Sequence, residues 1–298
     1  MATPSELAAM RRAIAISAQG LGTTSPNPPV GCVILDRDGA PAGEGYHARK
    51  GDHHAEVNAL SAAGERAHGG TAVVTLEPCN HHGRTPPCRQ ALIDARVSRV
   101  LIAVMDPTSR GEGGAAVLRQ EGIEVEQGVL EEEALLVLGP WLHSLRRDRP
   151  FLTWAYTAST SASEGEVNAA APDIRELRST HDLVIIPTEA IQEGVPGGHG
   201  PGAFRVPDAG LSSDPVKVLR TLSEAGARSV LIEGRDNRAV DLLAAHVDQV
   251  VVHLPKTPPS SEPAGPAVPV IPEGFRLTDV ARNGRTVRLT AHRATEGP

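Results

Sequence analysis

Apolar positions in the first half of this chain follow two alternating rhythms. Leu7, Met10, Ile14 and Leu21 are spaced for one face of a helix. In front of them Thr3-Pro4-Ser5-Glu6 forms a capping box with proline at the first helical position. The apolar run 30–35 predicts a strand, Asp36-Arg37-Asp38-Gly39 a turn, and 42–46 a returning strand. Helix 54–63, strand 71–76, helix 87–95 and strand 99–104 come next, then helix 114–121, strand 123–127 and helix 130–147. Strands alternating with helices predict an α/β sheet covered on its faces by helices.

Beyond residue 148 the pattern is less regular. Residues 151–158 and 183–186 read as strands, 214–225 as a helix, 229–233 as a strand, 239–246 as a helix and 247–254 as a strand. Residues 193–202 and the proline-rich stretch 255–272 read as loops, the latter as a surface excursion. Two domains are expected, 1–148 and 149–298, and 298 residues suffice for two cores.

Composition narrows the function. Hydrophobic residues make up 40%, as in a globular chain. A net charge of −7 and aromatics at 2% argue against nucleic-acid partners, which call for a basic face and stacking platforms. A small-molecule substrate is favoured instead. No run reaches the roughly 18 apolar residues of a membrane span. Arg11 and Arg12 follow a weakly apolar stretch instead of preceding one, unlike a signal peptide, so a cytoplasmic protein is expected. Of three cysteines, Cys32 lies in an apolar run and reads as a buried core thiol.

The other two carry the chemistry. His54-Ala55-Glu56, Pro78-Cys79 and Cys88 offer one imidazole and two thiols. Three protein ligands leave a fourth tetrahedral zinc position open, as a catalytic site needs. Zinc lowers the pKa of water there to roughly 7. Glu56 would shuttle the proton in the H-x-E…P-C arrangement of zinc deaminases. His54 and Cys88 both sit at expected helix starts, where free N–H groups favour thiolate at Cys88.

Longer motifs surround these residues: Ser25-Pro26-Asn27-Pro28-Pro29-Val30-Gly31, Gly45-Tyr46-His47, His54-Ala55-Glu56-Val57, and Thr75-Leu76-Glu77-Pro78-Cys79-Asn80-His81-His82-Gly83-Arg84-Thr85-Pro86-Pro87-Cys88. Together they resemble the bifunctional riboflavin-biosynthesis deaminase/reductase family. Eight residues stand between the cysteines, and Gly-Arg-Thr-Pro-Pro within them is characteristic of that branch. The resemblance implies a cytidine-deaminase-like three-layer α/β/α domain followed by a dihydrofolate-reductase-like α/β domain, here shortened. It implies zinc on His54, Cys79 and Cys88, with Glu56 as the catalytic proton shuttle. Asn27 and His47 would contact base or ribose, and Arg84 the phosphate. His81 and His82 would pack or touch substrate. The implied reaction deaminates a diaminopyrimidinone ribosylamino 5′-phosphate.

The chain departs from the family in two regions. Asp106-Pro107-Thr108-Ser109 stands where the family reads Asp-Pro-Asn-Pro; the resemblance implies that the family residue contacts substrate, so Thr108 would take that substrate contact and change which base is expected. In the second half Ala155, Ser159-Thr160-Ser161-Ala162, Pro187, Glu189 and Arg235 replace the residues of a reductase site. Proline removes an N–H that could bind phosphate, and glutamate adds like charge. No cofactor-binding residues and no NADPH are therefore expected, and a separate reductase would act in the pathway. The silent domain would support a homo-oligomer or the deaminase core. The competing readings are a deaminase of a pterin, purine or modified pyrimidine, and a non-catalytic partner protein.

Overall fold

The computed structural model describes residues 1–81, 86–109, 111–158, 172–200, 204–207, 212–235, 237–255, 271–283 and 286–294. The chain divides into two compact units, Met1–Gly139 and Pro140–Pro298.

In the first unit, α1 (Pro4–Ser17) begins at the expected capping box. The Thr3 side chain accepts from the Glu6 N–H, and Glu6 Oε2 accepts from the Thr3 N–H at 2.7 Å. There follow β1 (Gly31–Leu35), β2 (Pro41–Tyr46), α2 (Ala55–Ala63), β3 (Thr71–Leu76), α3 (Cys88–Asp94), β4 (Arg99–Val104), α4 (Gly114–Gln120), β5 (Glu124–Gln127) and α5 (Glu131–Arg147). The division between the units falls within α5. The strand order is β2-β1-β3-β4-β5. β1 runs antiparallel to β2 and β3, while β3, β4 and β5 are parallel.

Helices cover both faces of this sheet. A Cβ on Gly31 would fall 2.1 Å from Ala13 O of α1, whereas one on Gly45, paired with Cys32, would fall 2.5 Å from Ala59 N of α2. Adjacent strand positions point to opposite faces, so α1 and α2 enclose the sheet in a three-layer α/β/α arrangement. β3 and β4 are buried along their length after the first residue, which explains their unbroken apolar runs. Cys32 is the fully buried thiol that its surroundings in the sequence predict.

The second unit holds β6 (Phe151–Thr157), α6 (Pro172–Ser179), β7 (Leu183–Ile185), β8 (Ile191–Glu193), α7 (Pro215–Glu224), β9 (Ser229–Glu233), α8 (Arg238–Leu243), β10 (Gln249–Pro255), β11 (Phe275–Asn283) and β12 (Thr286–Arg293). Its sheet has the order β11-β12-β10-β6-β9-β7-β8, with β10, β6, β9 and β7 parallel. Leu152, Ile185, Leu222, Val230, Ile232 and Leu243 are fully buried in its core. Burial alone would raise the Asp248 carboxyl. Hydrogen bonds from Arg149 at 2.7 Å, His143 close by, and the Leu152 N–H at 2.9 Å outweigh it and pull Asp248 down to about 2.

Several expectations are corrected here. α6, β8, β11 and β12 are elements that the apolar pattern does not announce. Glu193, expected in a loop, closes β8. Helix 239–246 ends as α8 at Leu243 and continues as a 3₁₀ turn, Ala244–His246. The Val247 N–H closes that turn on Ala244 O, so β10 starts two residues later than expected. Most of the proline-rich stretch, 256–270, lies outside the described residues. Among the described residues no helix is long and apolar enough to cross a membrane.

Candidate active site

Ligands in an α/β sheet gather beyond the carboxyl ends of its parallel strands. Cys79 lies just past the end of β3. His54 is the N-cap of α2, held in extended backbone (φ −69°, ψ 163°), and Cys88 opens α3 behind Pro87. One ligand atom from each of the three residues lies within 4.8 Å of the other two. His54 Nδ1 is 3.2 Å from Cys88 Sγ and 3.8 Å from Cys79 Sγ. Zn–N and Zn–S bond lengths in a tetrahedral site imply N···S edges of roughly 3.6 Å. Donor types and spacing therefore fit one zinc ion with three protein ligands.

Glu56 lies in the first turn of α2 and is 3% exposed. Burial pushes its carboxyl up to about 7, against the pull of His54. A carboxyl so poised both takes and returns a proton near neutrality. The Cys88 N–H donates to Cys79 Sγ at 3.2 Å, because a residue's own sulfur meets its own N–H at a poor angle. Hydrogen bonds from Cys88, then from His54, draw Cys79 down to about 4. Sharing a proton with Cys79, and burial, push Cys88 up.

A cavity of about 550 Å³ opens over these groups, lined by Asn27, Asp52, His53, His54, Cys79 and His81 among others. That lies within the size range of small-molecule sites. His47 is buried behind it. Its Nδ1 stands 3.1 Å from His53 O, a pure acceptor, so Nδ1 carries the proton and Nε2 accepts from Asn27 Nδ2 at 3.2 Å. Burial lowers the His47 imidazole, which favours the neutral ring that this pattern requires. His47 thus orients Asn27, and Asn27 faces the cavity.

His81 is exposed at the cavity wall. Arg84 and His82 lie outside the described residues. Thr108 is exposed in the β4–α4 loop, where its N–H and its hydroxyl both donate to Asp106 Oδ1 at 2.7 Å. It is not among the residues that line the cavity.

Two site residues escaped the sequence reading. Asn58 lines the cavity and donates to Tyr46 O at 2.9 Å. Its position four after His54 on one helix face was the available signal. Glu77 is 5% exposed and accepts from the Ala115 N–H at 3.0 Å. That partner lies 38 residues away, and no local pattern reveals it.

The carboxyl ends of β6 and β9 in the second unit are occupied differently. Ala155 is fully buried, and its carbonyl accepts from the Gly234 N–H at 2.9 Å. Trp154 Nε1 donates to Gly234 O at 2.8 Å. Arg178 makes a two-pronged ion pair with Glu233, and the Arg235 guanidinium lies 5.8 Å over the Tyr156 ring. Pro187 packs on Gly234, with Cγ 3.1 Å from where a Cβ there would be. Glu189 stands 3.7 Å from Arg238. Residues 159–162 lie outside the described residues.

Comparison with known proteins agrees with this geometry. Residues 4–104 match the cytidine and deoxycytidylate deaminase zinc-binding region. The chain is 52% identical over 126 residues to a diaminohydroxyphosphoribosylamino-pyrimidine deaminase of Buchnera aphidicola, covering 42% of this chain and 85% of that protein. It is 43% identical over 195 residues to the riboflavin biosynthesis protein RibD of Mycobacterium tuberculosis, covering 61% of this chain and 57% of RibD. Against such RibD proteins the match spans little more than half their length. The solved structure of Acinetobacter baumannii RibD superimposes with a TM-score of 0.76 at 28% identity, covering 97% of this chain and 99% of that one.

Proposed function

Because the chain belongs to the riboflavin-biosynthesis deaminase family, we propose that it hydrolytically deaminates 2,5-diamino-6-ribosylamino-4(3H)-pyrimidinone 5′-phosphate. One observation carries this reading: the His54, Cys79 and Cys88 cluster with buried Glu56 beside it, under a cavity of about 550 Å³. His54, Cys79 and Cys88 would hold zinc. When bound, zinc supplies the Lewis acidity that makes water a nucleophile near neutral pH. Glu56 takes the proton of the attacking water and delivers it to the ring nitrogen, then to the departing amine. Water enters, ammonia leaves, and a carbonyl replaces the exocyclic amine. Asn27, held by His47, orients the base. His81 stands at the wall and Arg84 meets the phosphate.

The second unit, in this reading, performs no NADPH reduction. A dinucleotide phosphate needs free main-chain N–H groups, and the Gly234 N–H is committed to Ala155 O. Trp154, Arg235 and Pro187 crowd the same turn. The unit would instead support a homo-oligomer in the cytoplasm, and another polypeptide would reduce the product.

Thr108 favours a second reading. The resemblance implies a substrate contact at this position, and the Thr108 hydroxyl instead donates to Asp106, which favours another aminated heterocycle as the base. The deciding experiment incubates zinc-loaded protein with the diaminopyrimidinone phosphate, guanine, a pterin and cytidine, and measures ammonia. Release from the phosphorylated pyrimidinone alone supports the first reading; preference for another base transfers the assignment to it.

A further inference from the structure

We propose that Glu77 is a positioning residue for the sulfur of Cys79, an inference that rests on the metal-site reading above. Glu77 directly follows β3 and stands two residues before Cys79. Its N–H donates to Val104 O at 2.9 Å, just past the last β3–β4 pair, Leu76 with Val104. Its side chain turns the other way, and Oε1 accepts from the Ala115 N–H at the start of α4. A buried carboxylate without partners is costly, so this bond fixes the side chain where it lies.

α4 presses on the same stretch of backbone. A Cβ on Gly114 would fall 1.9 Å from Pro78 O, and one on Gly113 would fall 2.6 Å from Glu77 Oε1. Glycine permits both approaches. Glu77 and Pro78 are thus gripped between β4 and α4. On its other side Cys79 is held by α3. Its sulfur accepts from the Cys88 N–H at 3.2 Å, and its carbonyl accepts from the Arg89 N–H at 3.4 Å. The sulfur is suspended between two anchors, and Glu77 is the polar member of one. It acts on the metal through Cys79 and needs only an acceptor oxygen to do so.

The test uses the full chain and no substrate. Protein stripped of metal is titrated with zinc against a chromophoric chelator, and in parallel loaded with Co(II). Glu77→Ala should weaken zinc by about 10–100-fold, the range for groups that orient metal ligands from outside. It should also alter the thiolate-to-cobalt charge-transfer absorption. Glu77→Gln keeps the acceptor and should restore both zinc affinity and spectrum. A merely structural role would lower the melting temperature and leave the cobalt spectrum unchanged. Wild-type affinity and spectrum in Glu77→Ala, or a Gln variant as weak as the Ala variant, overturns the proposal. If Glu77→Ala does not fold, Glu77→Asp, one methylene short of Ala115, takes its place with the same two outcomes. Failure of the pyrimidinone as substrate would not touch these readouts, whereas a wild-type chain without zinc affinity would overturn the site and this role together.

Discussion

The two sheets of this protein end their parallel strands in opposite ways. Beyond β3 an imidazole, two thiols and a carboxyl face one another under a cavity. Beyond β6 and β9, several polar groups of the described residues pair with one another. The Gly234 N–H meets Ala155 O, its carbonyl meets Trp154, Glu233 meets Arg178, and Arg235 lies over Tyr156. Both units are α/β layers. If the second unit is the scaffold proposed above, the difference lies in whether the strand ends keep polar groups aimed at a space or close them on each other.

The strongest test of this contrast strikes the first sheet. Glu56→Ala should retain zinc and lose turnover by about 10²–10⁴-fold, as positioned acid–base groups do. Cys79→Ala should lose the metal as well. Full zinc content in the Cys79 variant would remove the ligand assignment. A comparable blow to the second sheet should register as stability alone. Leu152 is fully buried in its core, so Leu152→Ala should destabilise that unit by about 2–5 kcal/mol in urea unfolding. A loss far below that range would mean that this core repacks freely.

Recognition should divide the units next. Arg84→Ala is expected to cost on the order of 2–3 kcal/mol against the phosphorylated substrate and little against its dephosphorylated analogue. Equal losses on both would remove the phosphate role.

Acid should sharpen the contrast through Asp248. Its folded pKa of about 2 lies below the ordinary 3.8. The depressed value means that its contribution is present above pH 4 and lost as pH falls toward 2. That contribution is about 2 kcal/mol. Asp248→Asn should flatten the pH dependence of the urea midpoint over that window, and an unchanged slope would place the acid sensitivity elsewhere. The smallest expected effect is none: the deaminated pyrimidine with NADPH should leave cofactor absorbance constant. Enzymatic consumption of NADPH would break the contrast outright.

The same contrast governs what the sequence discloses. β3 and β4 are apolar on both faces, and α1 carries its cap beside it, so these elements are legible from local pattern. α6 offers little beyond Ile174 and Leu177 as apolar positions in a charged segment, and β11 is largely exposed at the sheet edge. Neither shows a clear period. Within the site, the clustering of His54, Cys79 and Cys88 is legible because metal chemistry restricts residue type and spacing. Glu77 is not, because its partner is a main-chain N–H contributed by a distant helix. The N–H at the head of α3 is hidden for the same reason: it serves the sulfur of another segment.

His54 at the head of α2 has one more consequence. α1, α7 and α8 begin with Thr3, Asp214 and Asn237, whose side chains accept the helices' free N–H groups. α2 and α3, which deliver His54 and Cys88, begin with no such side-chain bond. An ordinary cap contributes about 0.5–2 kcal/mol. If His54 and Cys88 hold zinc as proposed, these helices trade local stability for reach, and a bound ion would fix their ends. His54→Ser or His54→Asp should raise the urea midpoint of the metal-free chain above that of the wild type and, in the proposed reading, abolish zinc binding. Robustness and reactivity compete here at a single backbone position.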